Sequence, residues 1–569
     1  MYKKLIISIF FLLISSNIVA QTGLFEHHKN FTHQDSLRGS ITPERIWWNL
    51  TYYHLDISIH PDKKFIQGKN TVQYTVLKPH NVLQIDLQAP LKITKVIQNG
   101  RELKVTHQGN AHFIHLKKYQ KTGAVNSLDV YYQGHPKVAK NAPWDGGFTW
   151  KKDKNGNHFV ATSCQGLGAS VWWPNKDHMY DEVDSMAISV RVPKNLMDIS
   201  NGKLRKIEQH EDASTTYHWF VDNPINNYGV NINIGDYVHF SEKYKGEAGI
   251  LDMDYYVLRD NLSKAKKQFK DAPKMMKAFE HWFGKYPFYK DGYKLVEAPY
   301  LGMEHQSSVT YGNNFKNGYL GRDLSGTGWG LKFDFIIIHE SGHEWFANNI
   351  TNKDIADMWI HESFTAYSES LFLDYYYGKK AASEYVIGTR KSILNNIPII
   401  GQYDVNSEGS GDMYYKGANM LHSIRTLLNN DEKWRQILRG LNSVFYHKTV
   451  STKQVENYLI AQSGLDLSCI FDQYLRTVKI PVFEYKVENN SISYRWNNII
   501  EGFNMPINIL VDKKIQQLKP SKEWQTTRIS SKISSKIKEI KEIKEIKEIK
   551  EIKEIKIDEN FYVIIKKLN

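Results

Sequence analysis

The hydrophobic period of this chain changes near residue 260 and changes back near residue 481. That double switch constrains the fold more than any other feature. From about Thr51, apolar residues occupy alternate positions: Tyr53, Leu55, Ile57 and Ile59, then Val72, Tyr74 and Val76, then Leu83, Ile85 and Leu87. A period of two turns one face of each strand to a core and the other to water. Asn99-Gly100 and Gly134-His135-Pro136 punctuate the runs as turns, so residues 21–247 are expected to form a β-sandwich. Past residue 260 the spacing lengthens to three and four. Helices are expected over 263–283, 333–348, 360–377, 416–428 and 433–445, which makes residues 248–482 a mostly helical domain. Alternation returns with Ile492, Tyr494 and Trp496, then Ile507, Ile509 and Val511, and 561–565 looks like a closing strand. Residues 483–569 therefore read as a small β-domain, and the chain as a multidomain α+β protein. A length of 569 residues exceeds what one core supports.

An Ile-Lys-Glu repeat of strict period three interrupts the last domain over residues 537–556. On a helix such a period turns each isoleucine about 60° back from the last, so the apolar residues spiral and form no stripe. A solvated insertion, helical or disordered, with no part in any site is expected.

The first twenty residues carry Lys3 and Lys4, an apolar run from Leu5 to Ile14 broken only by Ser8, and a small residue, Ala20, before Gln21. That pattern is a secretory signal peptide over 1–20, about half the length a membrane span needs. Export to the periplasm or beyond follows, with no membrane span once the leader is cleaved. Cys164 and Cys469 are too few for a disulfide framework and read as isolated, mostly buried thiols. The net charge of +13 is spread over scattered lysines, with no basic helix and no aromatic-basic stretch. Nucleic acid is thus not an expected partner.

His339-Glu340-Ser341-Gly342-His343 carries the chemistry. On a helix, residues four apart share a face, so both imidazoles aim at one point with Glu340 beside them. The apolar run from Phe333 to Ile338 buries that helix and sets the pair at the floor of a cleft. Gly342 costs a helix about 1 kcal/mol relative to alanine, a cost that a purely structural helix has little reason to carry. A catalytic zinc takes three protein ligands and keeps a fourth position open. Glu362, on the following helical run, supplies the third, for one Zn²⁺ per chain. Glu369, two turns further on, is either an orienting carboxylate behind a ligand or an exposed helix residue.

The segment HESGHEWFANNITNKDIADMWIHESFTAYSE, residues 339–369, resembles the glutamate-zincin aminopeptidases of the aminopeptidase N and leukotriene-hydrolase type. Leu301-Gly302-Met303-Glu304-His305 looks like that family's Gly-x-Met-Glu-Asn, and Tyr414-Tyr415-Lys416-Gly417-Ala418 like its Tyr-x-Lys-Gly-Ala. Ser163-Cys164-Gln165, followed by Trp173-Pro174, resembles the segment that leads the first domain into the site. The resemblance spans roughly residues 45–485. It implies a thermolysin-like catalytic domain and a zinc aminopeptidase acting on peptides with free N-termini; a monomer is expected. In that reading Glu340 is the general base and Tyr414 the hydroxyl that stabilises the oxyanion, with Tyr415 packing elsewhere. Glu304 pairs with the substrate's α-ammonium, Gln165 supports that amine, and Gly302 and Met303 line the substrate. His305 replaces the usual Asn, while His361 and Ser363 replace the common Asn and Gly around the third ligand. About ninety residues follow Pro481, too few for the family's large helical C-terminal domain, so an open site is expected. A zinc endopeptidase, which has no use for Glu304, is the competing enzyme reading. An inactive peptide-binding homologue is the competing non-enzyme reading, although all three ligands, the base and the tyrosine are present.

Overall fold

The computed structural model describes residues 30–488, 491–511, 514–529 and 555–569. The leader and residues 537–554 of the repeat lie outside them. The first domain is built on an eight-stranded sheet in the order 203–209, 215–221, 185–192, 48–60, 65–76, 125–134, 92–98 and 101–102. A four-stranded sheet (197–200, 232–235, 158–163, 147–152) and a three-stranded one (82–86, 111–115, 104–108) accompany it. The alternating residues expected to face inward do so: Leu55, Val72, Tyr74, Leu83 and Ile85 are fully buried in one core. That core also takes in Val296, Ala298, Tyr300 and Met303 from the second domain, so the two bodies share apolar contact along the edge that carries Met303.

Two corrections concern the second domain. Strand Tyr237–Gly246, expected in the sandwich, pairs instead with Gly249–Leu258, which runs parallel to Tyr293–Glu297. These strands belong to a five-stranded sheet, completed by Val309–Tyr311 and Gly302–Met303. The boundary therefore falls before Tyr237, and the mostly helical domain also contains a sheet. Its inner strands are short and buried on both faces, so they show no alternation to betray them.

The helices fall close to their expected places, with two differences. The first divides into Leu262–Gln268 and Asp271–Phe283. The pentad helix runs only from Phe335 to Gly342, capped by Asp334, whose carboxylate accepts from the amides of Ile336 and Ile337. Beyond His343 the backbone leaves helical geometry at Phe346 and Ala347. Helix Trp359–Tyr377 packs beside it, and Tyr415–Leu428 packs against Trp359–Tyr377 in turn.

The C-terminal domain pairs a four-stranded sheet (525–528, 491–497, 482–488, 564–567) with a three-stranded one (514–518, 507–511, 555–557). Ile555 and Lys556, the end of the repeat, are thus part of a strand, opposite Val511 and Leu510. This corrects the expectation that the insertion is helical or disordered to its last residue.

Candidate metal centre and substrate cavity

His339 lies in the last turn of its helix and His343 caps it. The Nδ1 of His339 donates to Glu369 Oε1 at 2.7 Å, because a carboxylate can only accept. Glu369 is fully buried and accepts the Tyr385 hydroxyl on its other oxygen at 2.6 Å. Of the two readings of Glu369, the orienting carboxylate is the one the geometry supports. For His343, the break at Phe346–Ala347 turns the Phe346 carbonyl back to accept from Nδ1 at 3.0 Å. Both rings therefore present the Nε2 lone pair to the same point.

Glu362, in the first turn of Trp359–Tyr377, meets them there. Its Oε2 stands 3.8 Å from His339 Nε2 and 3.4 Å from His343 Nε2. That oxygen is buried with no hydrogen-bond partner among the described residues. One donor atom from each of His339, His343 and Glu362 lies within 4.8 Å of the others. A tetrahedral zinc with bonds of about 2.0–2.1 Å holds its donors roughly 3.3 Å apart, so the set fits the ion. Burial pushes the Glu362 carboxyl up, but the imidazoles of His343 and His339 outweigh that and hold it well below the usual range.

Above this floor lies a cavity of about 200 Å³. Glu340, Glu304, Gln165, Gly302, Met303, Tyr414 and Tyr415 all line it, so every sequence-derived site residue is brought to one place. Glu304 is only 3% exposed; burial raises its carboxyl against the opposing pull of His343. Burial likewise raises Glu340 to about 7, against the pull of His339. Gly302 sits on the edge strand directly over the pentad helix, where a Cβ would stand 2.6 Å from Ile336 Cγ2 and 3.0 Å from Glu340 Oε1. Glycine is what lets that strand lie against the base.

The two tyrosines differ in their company. Tyr414 stacks over His339 with ring centroids 6.0 Å apart, and its hydroxyl, raised by burial, feels Glu362, Glu304 and Glu340. Tyr415, also raised by burial, feels Glu369 and Tyr319 instead. Both line the cavity, so Tyr415 is not remote from it.

His305 and His361 do not line the cavity. His305 is fully buried, with its Nδ1 3.4 Å from Thr310 Oγ1. His361 Nε2 accepts from the Asn352 amide at 2.9 Å. The sequence reading missed Tyr385, whose only signal is its place sixteen residues after Glu369, and Tyr228, whose hydroxyl favours the charged form of Glu304.

Gly342 needs a different account from the one the sequence suggested. A Cβ there would stand 2.7 Å from Ser368 Oγ and 3.1 Å from Thr365 Cγ2. The glycine lets the pentad helix approach the helix that carries Glu362, so its reason is packing.

Two imidazoles from one helix, a glutamate from the next and a sheet edge lying over them define the glutamate-zincin class of metallopeptidase domain. The chain belongs to peptidase family M1: residues 268–474 match the M1 peptidase domain and residues 49–228 the M1 N-terminal domain. It is 23% identical over 473 residues to probable aminopeptidase 1 of Sulfurisphaera tokodaii, covering 78% of this chain and 56% of that one. It is 24% identical over 290 residues to leukotriene A-4 hydrolase of Xenopus laevis, covering 48% and 44%. The chain thus spans about half the length of the curated relatives it matches. The fold is similar to the crystal structure of an M1 zinc metallopeptidase from Deinococcus radiodurans, with a TM-score of 0.66 at 18% identity over 78% of this chain and 98% of that one.

Proposed function

We propose that the protein is a zinc aminopeptidase that removes N-terminal residues from peptides. One observation carries the exopeptidase reading: a buried carboxylate, Glu304, stands beside the zinc ligands, where one of its oxygens, one of Glu340 and a nitrogen of His343 lie within 4.8 Å of one another. A buried anion at that place favours a substrate that brings it a cation, and the free α-ammonium of a peptide is that cation. Fixing the amine fixes the distance to the scissile bond and limits cleavage to one residue. When bound at His339, His343 and Glu362, zinc supplies a Lewis acid that polarises a carbonyl and acidifies water. Glu340, raised to about 7 by burial, is suited to take a proton from the attacking water and return it to the leaving amine. The Tyr414 hydroxyl, which burial among carboxylates keeps protonated, is the group that would donate to the developing oxyanion. The leader over residues 1–20 supports an exported enzyme working in the periplasm or outside the cell.

Digestion of a ten-residue peptide, followed by mass spectrometry, tests the reading. A ladder shortening from the N-terminus is expected, with the N-acetylated peptide nearly inert. Glu304→Ala is expected to lower kcat/KM on free-amine substrates by roughly two or more orders of magnitude, in line with about 2–5 kcal/mol for an unpaired buried charge. Internal fragments, or equal rates on blocked and free peptides, mean an endopeptidase.

A further inference from the structure

We propose that Gln165 is a positioning residue for the metal, a clasp from the first domain that fixes which oxygen of Glu362 faces the zinc. The side-chain nitrogen of Gln165 lies 2.7 Å from Glu304 Oε1 and 3.0 Å from Glu362 Oε1. Carboxylate oxygens at these distances need a donor, so the atom between them is the amide nitrogen. Its two protons are both committed, one to each carboxylate.

Two consequences follow. With Oε1 of Glu362 held by the amide, Oε2 is left without a hydrogen bond among the described residues and stands 3.8 Å from His339 Nε2 and 3.4 Å from His343 Nε2. Outer partners that hold a ligand in this way set its orientation, and losing one typically weakens metal binding by about 10–100-fold. An ammonium only donates, so the side-chain oxygen of Gln165 is the atom that can accept from a substrate amine. Support of the amine and presentation of the metal ligand thus fall to the two polar atoms of one carboxamide.

The clasp also spans the molecule. Gln165 lies two residues beyond strand His158–Ser163 of the first domain, 197 residues before Glu362. Zinc affinity therefore depends on how the first domain docks against the second.

The inference rests on Glu362 being a metal ligand, and the experiment separates the two claims. Zinc dissociation constants are measured by competition with a chromogenic chelator for the native protein, Gln165→Met and Glu362→Ala. Gln165→Met keeps length and bulk but has no amide. The expected result is about tenfold or greater weakening for Gln165→Met, with the melting temperature of the zinc-free protein unchanged. Should Gln165→Met not fold, Gln165→Asn, one methylene too short to span both carboxylates, is expected to weaken zinc in the same direction. Native zinc affinity in the folded glutamine variant, with Glu362→Ala impaired, overturns the clasp alone. Native affinity in Glu362→Ala overturns the ligand set and the functional reading with it.

Discussion

His339 turns its Nδ1–H onto Glu369 at 2.7 Å, thirty residues further along the chain and on the neighbouring helix. Glu369 also accepts the Tyr385 hydroxyl at 2.6 Å, so both of its oxygens are engaged behind the metal ligand. A carboxylate behind an imidazole fixes its tautomer and raises its basicity as a ligand. Glu369→Ala is therefore expected to weaken zinc about 10–100-fold, read by chelator competition, and Tyr385→Phe to weaken it less. Unchanged zinc affinity in Glu369→Ala would show that packing alone holds the ring.

Chemistry and binding are expected to separate at Glu340 and Tyr414. Glu340→Gln and Tyr414→Phe each remove one proton-handling group while leaving the three metal ligands intact. Each is expected to lower kcat at least roughly 100-fold with zinc content retained. Tyr415→Phe is expected to do little, because its hydroxyl, raised by burial, feels Glu369 and Tyr319 and not the carboxylates Glu304, Glu340 and Glu362 that Tyr414 feels. Kinetics on an aminoacyl substrate decide it; a damaging Tyr415→Phe beside a harmless Tyr414→Phe would exchange their roles.

Gly342→Ala sets two effects against each other. Helix propensity favours alanine by about 1 kcal/mol. Overpacking against Ser368 and Thr365 costs typically 1–3 kcal/mol. Packing is expected to win, so the melting temperature falls, and Ser368→Ala in the same chain is expected to restore part of it. A single variant more stable than the native protein would return Gly342 to the unexplained residues.

Deletions in the Ile-Lys-Glu repeat are expected to divide at residue 554. Removing 537–554 leaves Ile555–Ile557 to pair with Ile507–Val511, and activity and melting temperature are expected to stay nearly native. Removing 537–556 takes two residues from that strand, and a loss of about 1–3 kcal/mol is expected from the disrupted pairing. Thermal denaturation of both proteins checks it; equal melting temperatures would mean that the strand adds nothing.

The sequence by itself determined the domain order and the identity of the chemical groups. Period-two alternation and 3.6-residue spacing reflect which face of an element is buried, and that pattern is written locally at Leu55, Val72 or Leu83. His339, His343 and Glu340 were equally legible, since a four-residue helical spacing brings the two imidazoles together without help from the rest of the chain. Tertiary structure decided what depends on contact between distant segments. The strands over 293–297 and 309–311, buried on both faces, have no alternation to read. Gly342 is explained by Ser368, a residue on another helix. Glu369 was ambiguous because a carboxylate two turns from Glu362 becomes an orienting partner only when His339 is packed against it. Gln165 reaches Glu304 and Glu362 only because the two domains share a buried edge at Met303. Local spacing specifies which groups one element presents; only folding decides which groups from separate elements come within hydrogen-bonding distance.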